Sequence, residues 1–193
     1  LRKNTEVSDK KEFAYYVRLY DLRKGLGHSA QKYINESTFD FLKKSSLKPN
    51  DILIANIGAN VGEIFLMPSI NYPCSLAPNM ILLRCNDKTN PRFLFYFLKS
   101  QIGQESVSKA IAGSGQPKIN KTDLKKIISI IPRLPEQKKI ADILSTIDVL
   151  KKNLDHEINK IDQVEKSLWS KLFHEQENDE WKKVKVSDIG TVI

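Results

Sequence analysis

The chain has 193 residues, 40% of them hydrophobic, with 31 Lys and Arg against 23 Asp and Glu for a net charge of +8, which suits one hydrophobic core plus an appendage. No apolar run approaches the roughly 18 residues of a membrane span, no signal peptide is visible, and Leu1 in place of Met points to a truncated or processed start. The two cysteines, Cys74 and Cys85, match no metal spacing and supply no disulfide framework, so a membrane protein, a stapled secreted domain and a zinc module are excluded and reduced thiols in the cytoplasm are expected.

The first expected strand is Phe13 to Tyr20, aromatic and β-branched, followed by a turn over Asp21 to Gly27 that carries Arg23 and Lys24, with His28 just beyond. Asp51 to Ile57 reads as a buried strand, Glu63 to Met67 as another and Met80 to Cys85 as a third, with Gly58-Ala59-Asn60-Val61-Gly62 as a tight connection. Asn90 to Ile111 predicts one or two helices with Phe93, Leu94, Phe97 and Leu98 on the apolar face and Pro91 in the first turn. A glycine-containing loop, Ala112 to Lys121, then leads to a final strand at Ile127 to Ile131. Strands bracketing helices without a repeated βαβ unit predict a mixed α+β domain rather than a doubly wound sheet.

Pro132 and Pro135 cannot both lie inside a helix, but Pro135 fits a first turn, so a long helix is expected from about Glu136. Its apolar positions Ile147, Leu150, Leu154, Ile158, Ile161, Val164, Leu168 and Leu172 recur every three or four residues and form a narrow seam on a helix about 60 Å long. Such a seam is too narrow for a core helix and too apolar for water, and it calls for a second helix, as in a coiled coil. Charge divides at the same point. Residues 1–135 hold 21 Lys and Arg against 11 Asp and Glu, a net +10, whereas residues 136–193 hold 10 against 12, a net −2. A basic compact part suits phosphate contact and a balanced helix suits protein contact.

No catalytic constellation emerges. Asn90-Pro91-Arg92-Phe93 approaches the Asn-Pro-Pro-Phe of amino-methylating DNA methyltransferases, yet Arg92 replaces the second proline and no glycine-rich cofactor strand precedes it. Gly58 and Gly62 make neither a dinucleotide fingerprint nor a P-loop. His28, His156 and His174 are far apart and suit solvated positions. No catalytic residue, metal ligand or cofactor is expected. For binding, Gly113, Ser114 and Gly115 permit close backbone approach, Gln116 suits adenine, and Lys118 and Lys121 supply charge; an ordinary helix-to-strand loop is the plain alternative. Arg23, Lys24, Lys43 and Lys44 are further phosphate candidates or solvated charges, and Asn56 and Asn60 either present amides to a base edge or close their own turn.

The stretch Pro132-Arg133-Leu134-Pro135-Glu136-Gln137-Lys138-Lys139-Ile140-Ala141-Asp142-Ile143-Leu144-Ser145-Thr146-Ile147-Asp148 resembles the junction between recognition domain and spacer helix in specificity subunits of type I restriction-modification systems. Tyr16-Val17-Arg18-Leu19-Tyr20-Asp21-Leu22, Asp51-Ile52-Leu53-Ile54 with Gly58 and Gly62, and Ala112-Gly113-Ser114-Gly115-Gln116 fall where similar signatures fall in that family, and Trp181 to Gly190 is similar to the opening strand of another recognition domain. The resemblance implies an α+β (mixed α/β) target-recognition domain over 1–135, lacking its own first segment, and a coiled-coil-forming spacer helix over 136–177. It makes 178–193 either the start of a second recognition domain or a segment completing the first one's sheet. It further implies a non-catalytic subunit without cofactor that reads one half of a bipartite target in double-stranded DNA. Methyltransferase subunits and restriction (motor-nuclease) subunits would be its partners, and a second spacer helix, from the full subunit or a homodimer, would cover the seam. The competing reading is a basic coiled-coil adaptor that binds nucleic acid without sequence preference, or another protein.

Overall fold

Six short strands pair into two three-stranded sheets in the computed structural model, which describes residues 6–113, 115–173 and 184–190. In the first sheet β1 (Ala14–Val17) lies between β2 (Lys32–Ile34), antiparallel to it, and β5 (Cys74–Leu76), parallel to it. In the second, β3 (Ile52–Ala55) lies between β4 (Ile64–Leu66) and β6 (Met80–Leu83), both antiparallel. The chain divides into a unit over Leu1–Leu144 and another over Ser145–Ile193, and the architecture is mixed α+β.

β3 explains why the second sheet is central. Its four residues Ile52, Leu53, Ile54 and Ala55 are all fully buried, as a continuous apolar run covered on both faces should be. Ile52 and Ile54 pack with Ile64, Ile81, Leu98, Val107 and Ile119, while Leu53 points the other way to Val17, Met67, Cys74, Leu76 and Met80, which is the period-two alternation of a strand. Burial pushes the Cys74 thiol up to about 12. The first cluster is closed by α3 (Pro91–Lys99) and α4 (Gln101–Lys109), capped by the side chains of Asn90 and Ser100, which accept from Phe93 N at 3.1 Å and Gly103 N at 3.2 Å. A Cβ at Gly103 would stand 2.0 Å from the Phe97 carbonyl oxygen, so this tight helical corner requires glycine.

Several expectations are corrected. The strand expected to run to Tyr20 stops at Val17, because the Arg18 N–H donates to Asp21 Oδ2 at 2.7 Å and opens helix α1 (Leu19–Lys24), which replaces most of the expected turn. Helix α2 (Glu36–Phe41) and a 3-10 turn over Lys43–Ser45 follow β2. The strand expected over Ile127 to Ile131 is absent: the Ile127 N–H goes back to Leu124 at the end of the short helix α5 (Lys121–Leu124), and Ile128 and Ile130 are 83% and 73% exposed. The long helix α6 runs Leu134–Phe173, beginning two residues before Glu136, since the Arg133 carbonyl accepts from both Glu136 N and Gln137 N. Near the end, a helical turn α7 (Val186–Ile189) stands where a strand is expected, with Lys185 N donating to Asp188 Oδ2 at 3.3 Å; Trp181 to Lys183 lie outside the described residues.

In the second unit, the seam residues Ile147, Leu150, Leu154, Ile158, Ile161, Val164, Leu168 and Leu172 are all exposed. At its end Trp169 and Phe173 stack, their ring centroids 5.2 Å apart.

Candidate nucleic-acid interface

The glycine-bearing segment is a closed hairpin. Ala112 and Lys118 exchange two backbone hydrogen bonds of 2.9 Å, and Gly113, at φ 103°, brings its Cα so near the returning strand that a Cβ would lie 2.9 Å from the Gln116 carbonyl oxygen. The hairpin is fastened beside the end of β3: Ile57 bridges Lys118, Gly58 N donates to Pro117 O at 3.0 Å, and Ile119, buried in the core, donates to Asn56 O at 3.0 Å. Gly115, Gln116, Lys118 and Lys121 are all exposed there. Ser114 lies outside the described residues.

The remaining candidates divide between the two ends of β3. Arg23 forms an ion pair with Glu63, which faces Ala55 at the C-terminal end of the strand, so its charge is already matched by a carboxylate, while Lys24 beside it is exposed. Lys43 and Lys44 are exposed on the 3-10 turn next to Ser46, near the N-terminal end, away from the hairpin. That end is closed by a saturated cluster: buried Asp51 accepts from Arg84 Nε at 2.7 Å and Nη2 at 2.6 Å and from Lys48 N at 2.7 Å, and Arg84 Nη2 also reaches Ser46 O. Asn56 Oδ1 is buried and so presents no acceptor outward, whereas Asn60 is exposed.

Sequence reasoning missed the hollow beside the hairpin. The strand ends of both sheets converge on the three-residue β5–β6 connection Ala77-Pro78-Asn79, where Ala77 N donates to Val17 O and Asn56 N to Asn79 O. Arg18, Tyr20, Ile57, Pro78 and Asn79 line an open hollow of about 440 Å³ there. Arg18 bonds fully buried Asp21, donating from Nε at 2.9 Å and Nη2 at 2.6 Å, and its Nη2 also donates to Ala30 O at 2.8 Å. His28 Nε2 lies 2.9 Å from Asp21 Oδ1. Burial alone would raise the Asp21 carboxyl, but the hydrogen bonds and charge of Arg18, with His28, hold it below its ordinary value. Tyr20, half exposed, is held from two sides: its ring centroid is 5.3 Å from that of His28, edge to face, and 5.8 Å from the Arg18 guanidinium carbon. Asn79, at φ 73°, exposes a carboxamide that has no hydrogen-bond partner among the described residues. Only its neighbourhood after folding distinguishes it from any other turn asparagine.

At the other boundary of the domain, Gln137 is buried and completely bonded. Its Oε1 accepts from Asn90 N at 2.7 Å, and its Nε2 donates to Lys88 O at 3.2 Å and Pro132 O at 2.9 Å. With Ala141 it is the buried part of α6, and it explains why glutamine belongs in the Pro135-Glu136-Gln137 junction.

The family described as "Type I restriction modification DNA specificity domain" matches residues 1–165. The chain belongs to this family. It is 31% identical over 178 residues to the type I restriction enzyme MjaVIII specificity subunit of Methanocaldococcus jannaschii, an alignment covering 92% of the chain and 39% of that relative. It is 25% identical over 101 residues to the type I restriction enzyme EcoDI specificity subunit of Escherichia coli, covering 50% of the chain and 23% of the relative. The crystal structure of a type I restriction-modification S subunit from M. genitalium superposes with a TM-score of 0.50 at 25% identity, over 67% of the chain and 34% of that structure. The chain thus spans about two fifths of the MjaVIII subunit, and no described helix is long and apolar enough to cross a membrane.

Proposed function

We propose that this specificity-family chain recognises a short sequence in double-stranded DNA and reads one half of a bipartite target for a type I restriction-modification complex. Residues 1–135 act as the recognition domain, 136–177 as the spacer helix, and 178–193 as the start of a second recognition domain or as a segment completing the first. The family match over residues 1–165 carries the reading, and the surplus of basic charge confined to residues 1–135 supports it. Lys118, Lys121 and Lys24 contact phosphates and fix the docking, while the hairpin of Gly113 to Lys118 approaches the bases. The chain performs no chemistry: methyltransferase subunits supply methylation, restriction subunits supply translocation and cleavage, and it works in the cytoplasm. The seam of α6 pairs with a second spacer helix and so sets the distance between two recognition domains.

The test is selection from a randomised duplex library at about 150 mM salt, with the chain alone and with its methyltransferase subunits. Enrichment of a short defined sequence, sharpened by the partners, is expected. Retention without sequence preference would replace this reading with a basic adaptor that grips phosphates only.

A further inference from the structure

We propose that the hollow beside the hairpin reads one A·T base pair, with the Asn79 carboxamide bonding adenine N6 and N7 and the Tyr20 ring with Pro78 packing on the thymine methyl group. The proposal rests on the DNA-recognition reading above and names residues and a base pair within it.

Each base pair shows its own pattern in the major groove: guanine is read by arginine or lysine, cytosine by a carboxylate, adenine by an asparagine or glutamine amide, and the thymine methyl by apolar contact. Arg18 is the cation lining the hollow, but its Nε and Nη2 are committed to Asp21 and to Ala30 O, which removes the fork that guanine requires. Asp21 is fully buried and already accepts from Arg18 N, Arg18 Nε and Arg18 Nη2, so no carboxylate faces a cytosine amino group. Beside the phenol hydroxyls of Tyr16 and Tyr20, what stays available is the Asn79 carboxamide, which both donates and accepts, and an apolar lining that includes Ile57, Pro78 and the Tyr20 ring. That combination complements A·T.

Position and rigidity agree. Ile57 lines the hollow and bridges Lys118 of the hairpin, so a duplex engaging the exposed Lys118 brings its groove to Asn79. Tyr20 is held between His28 and Arg18, and the backbone from which the Asn79 carboxamide projects is held because its main-chain carbonyl accepts from Asn56 N at 3.1 Å. The Tyr20 ring and the Asn79 backbone are thus in place before DNA arrives, which lowers the entropic cost of the contact.

The experiment compares the full chain and its Asn79→Gly and Asn79→Asp variants, each with methyltransferase subunits, in the same library selection. Glycine keeps the left-handed backbone while removing the amide, and equal thermal melting of the variants establishes that the fold is intact. Asn79→Gly is expected to lose preference about 5- to 150-fold at one A·T position and at no other, the range of one bidentate contact. Asn79→Asp is expected to move that position towards C·G. Replacing the thymine there by uracil, which lacks the methyl, should weaken the parent chain and leave Tyr20→Ala unaffected. A parent chain that selects a sequence while Asn79→Gly selects the same one overturns this inference and leaves the recognition function standing. Uniform weakening at every position makes Asn79 a docking contact and also overturns it. A parent chain that selects nothing ends the recognition reading itself.

Discussion

The globular unit and the helix beyond Leu144 are unfinished in opposite ways. The first buries its apolar residues around β3 and leaves polar groups open along one edge, with Gln116, Lys118 and Asn79 exposed. The second keeps polar residues in water and leaves an apolar seam from Ile147 to Leu172 in water as well. A polar edge with basic flanks is complementary to a charged, hydrogen-bonding polymer, and an apolar seam is complementary to another helix. One chain thus carries two surfaces that cannot exchange partners.

The contrast breaks most severely on the helix. Replacing Leu154 and Ile161 together with Asp should weaken pairing with a second spacer helix at least about 100-fold, since a fully buried Leu or Ile contributes about 1.5–3 kcal/mol and a carboxylate cannot be buried there; sedimentation equilibrium of the assembled subunit measures it, and unchanged association would remove the seam from the interface. In the globular unit, Asp21→Asn should lower stability by about 3 kcal/mol at neutral pH, since it leaves Arg18 without its buried partner. The Asp21 carboxyl is held below its ordinary value of 3.8, so its contribution is complete above about pH 4 and is lost as pH falls through the depressed value. The gap between parent and variant in urea unfolding should therefore close on acidification, not on raising the pH.

Smaller effects sharpen the boundary between the two regions. Gln137→Leu strips partners from Asn90 N, Lys88 O and Pro132 O and should cost about 2 kcal/mol in thermal or denaturant unfolding, with the DNA motif unchanged. Lys118→Ala should reduce affinity modestly for all sequences alike and make the salt slope of binding shallower by about 1, the signature of one lost phosphate contact. If the selected motif changes instead, Lys118 reads a base.

Legibility in the sequence followed the range of the interactions. β3, β4 and β6 announce themselves as apolar runs, α3 by Asn90-Pro91, and α6 by the proline pair and its three-four spacing, all local signals. β2 and β5 are three residues long and exist because β1 lies between them, Tyr15 facing both Tyr33 and Cys74; nothing in Lys32–Ile34 or Cys74–Leu76 alone specifies that. Ile127 to Ile131 has the composition of a strand and no strand to pair with, so tertiary context overrules propensity. At the candidate interface the glycine of the hairpin was readable because Gly113 serves a local turn. The pairing of Arg23 with Glu63, 40 residues away, and the meeting of Tyr20 with Asn79 depend on how the sheets come together.

The bonded Gln137 has a consequence for how the long helix forms at all. Starting a helix is the unfavourable step, because the first turn fixes several residues for a single hydrogen bond, while each later residue adds a bond at little cost. The folded domain supplies that first turn ready-made, with Arg133 O accepting two N–H groups and Gln137 pinned by Asn90, Lys88 and Pro132. A first turn held in this way lowers the cost of starting the helix, so loosening the Gln137 anchor removes that support as well as a contact.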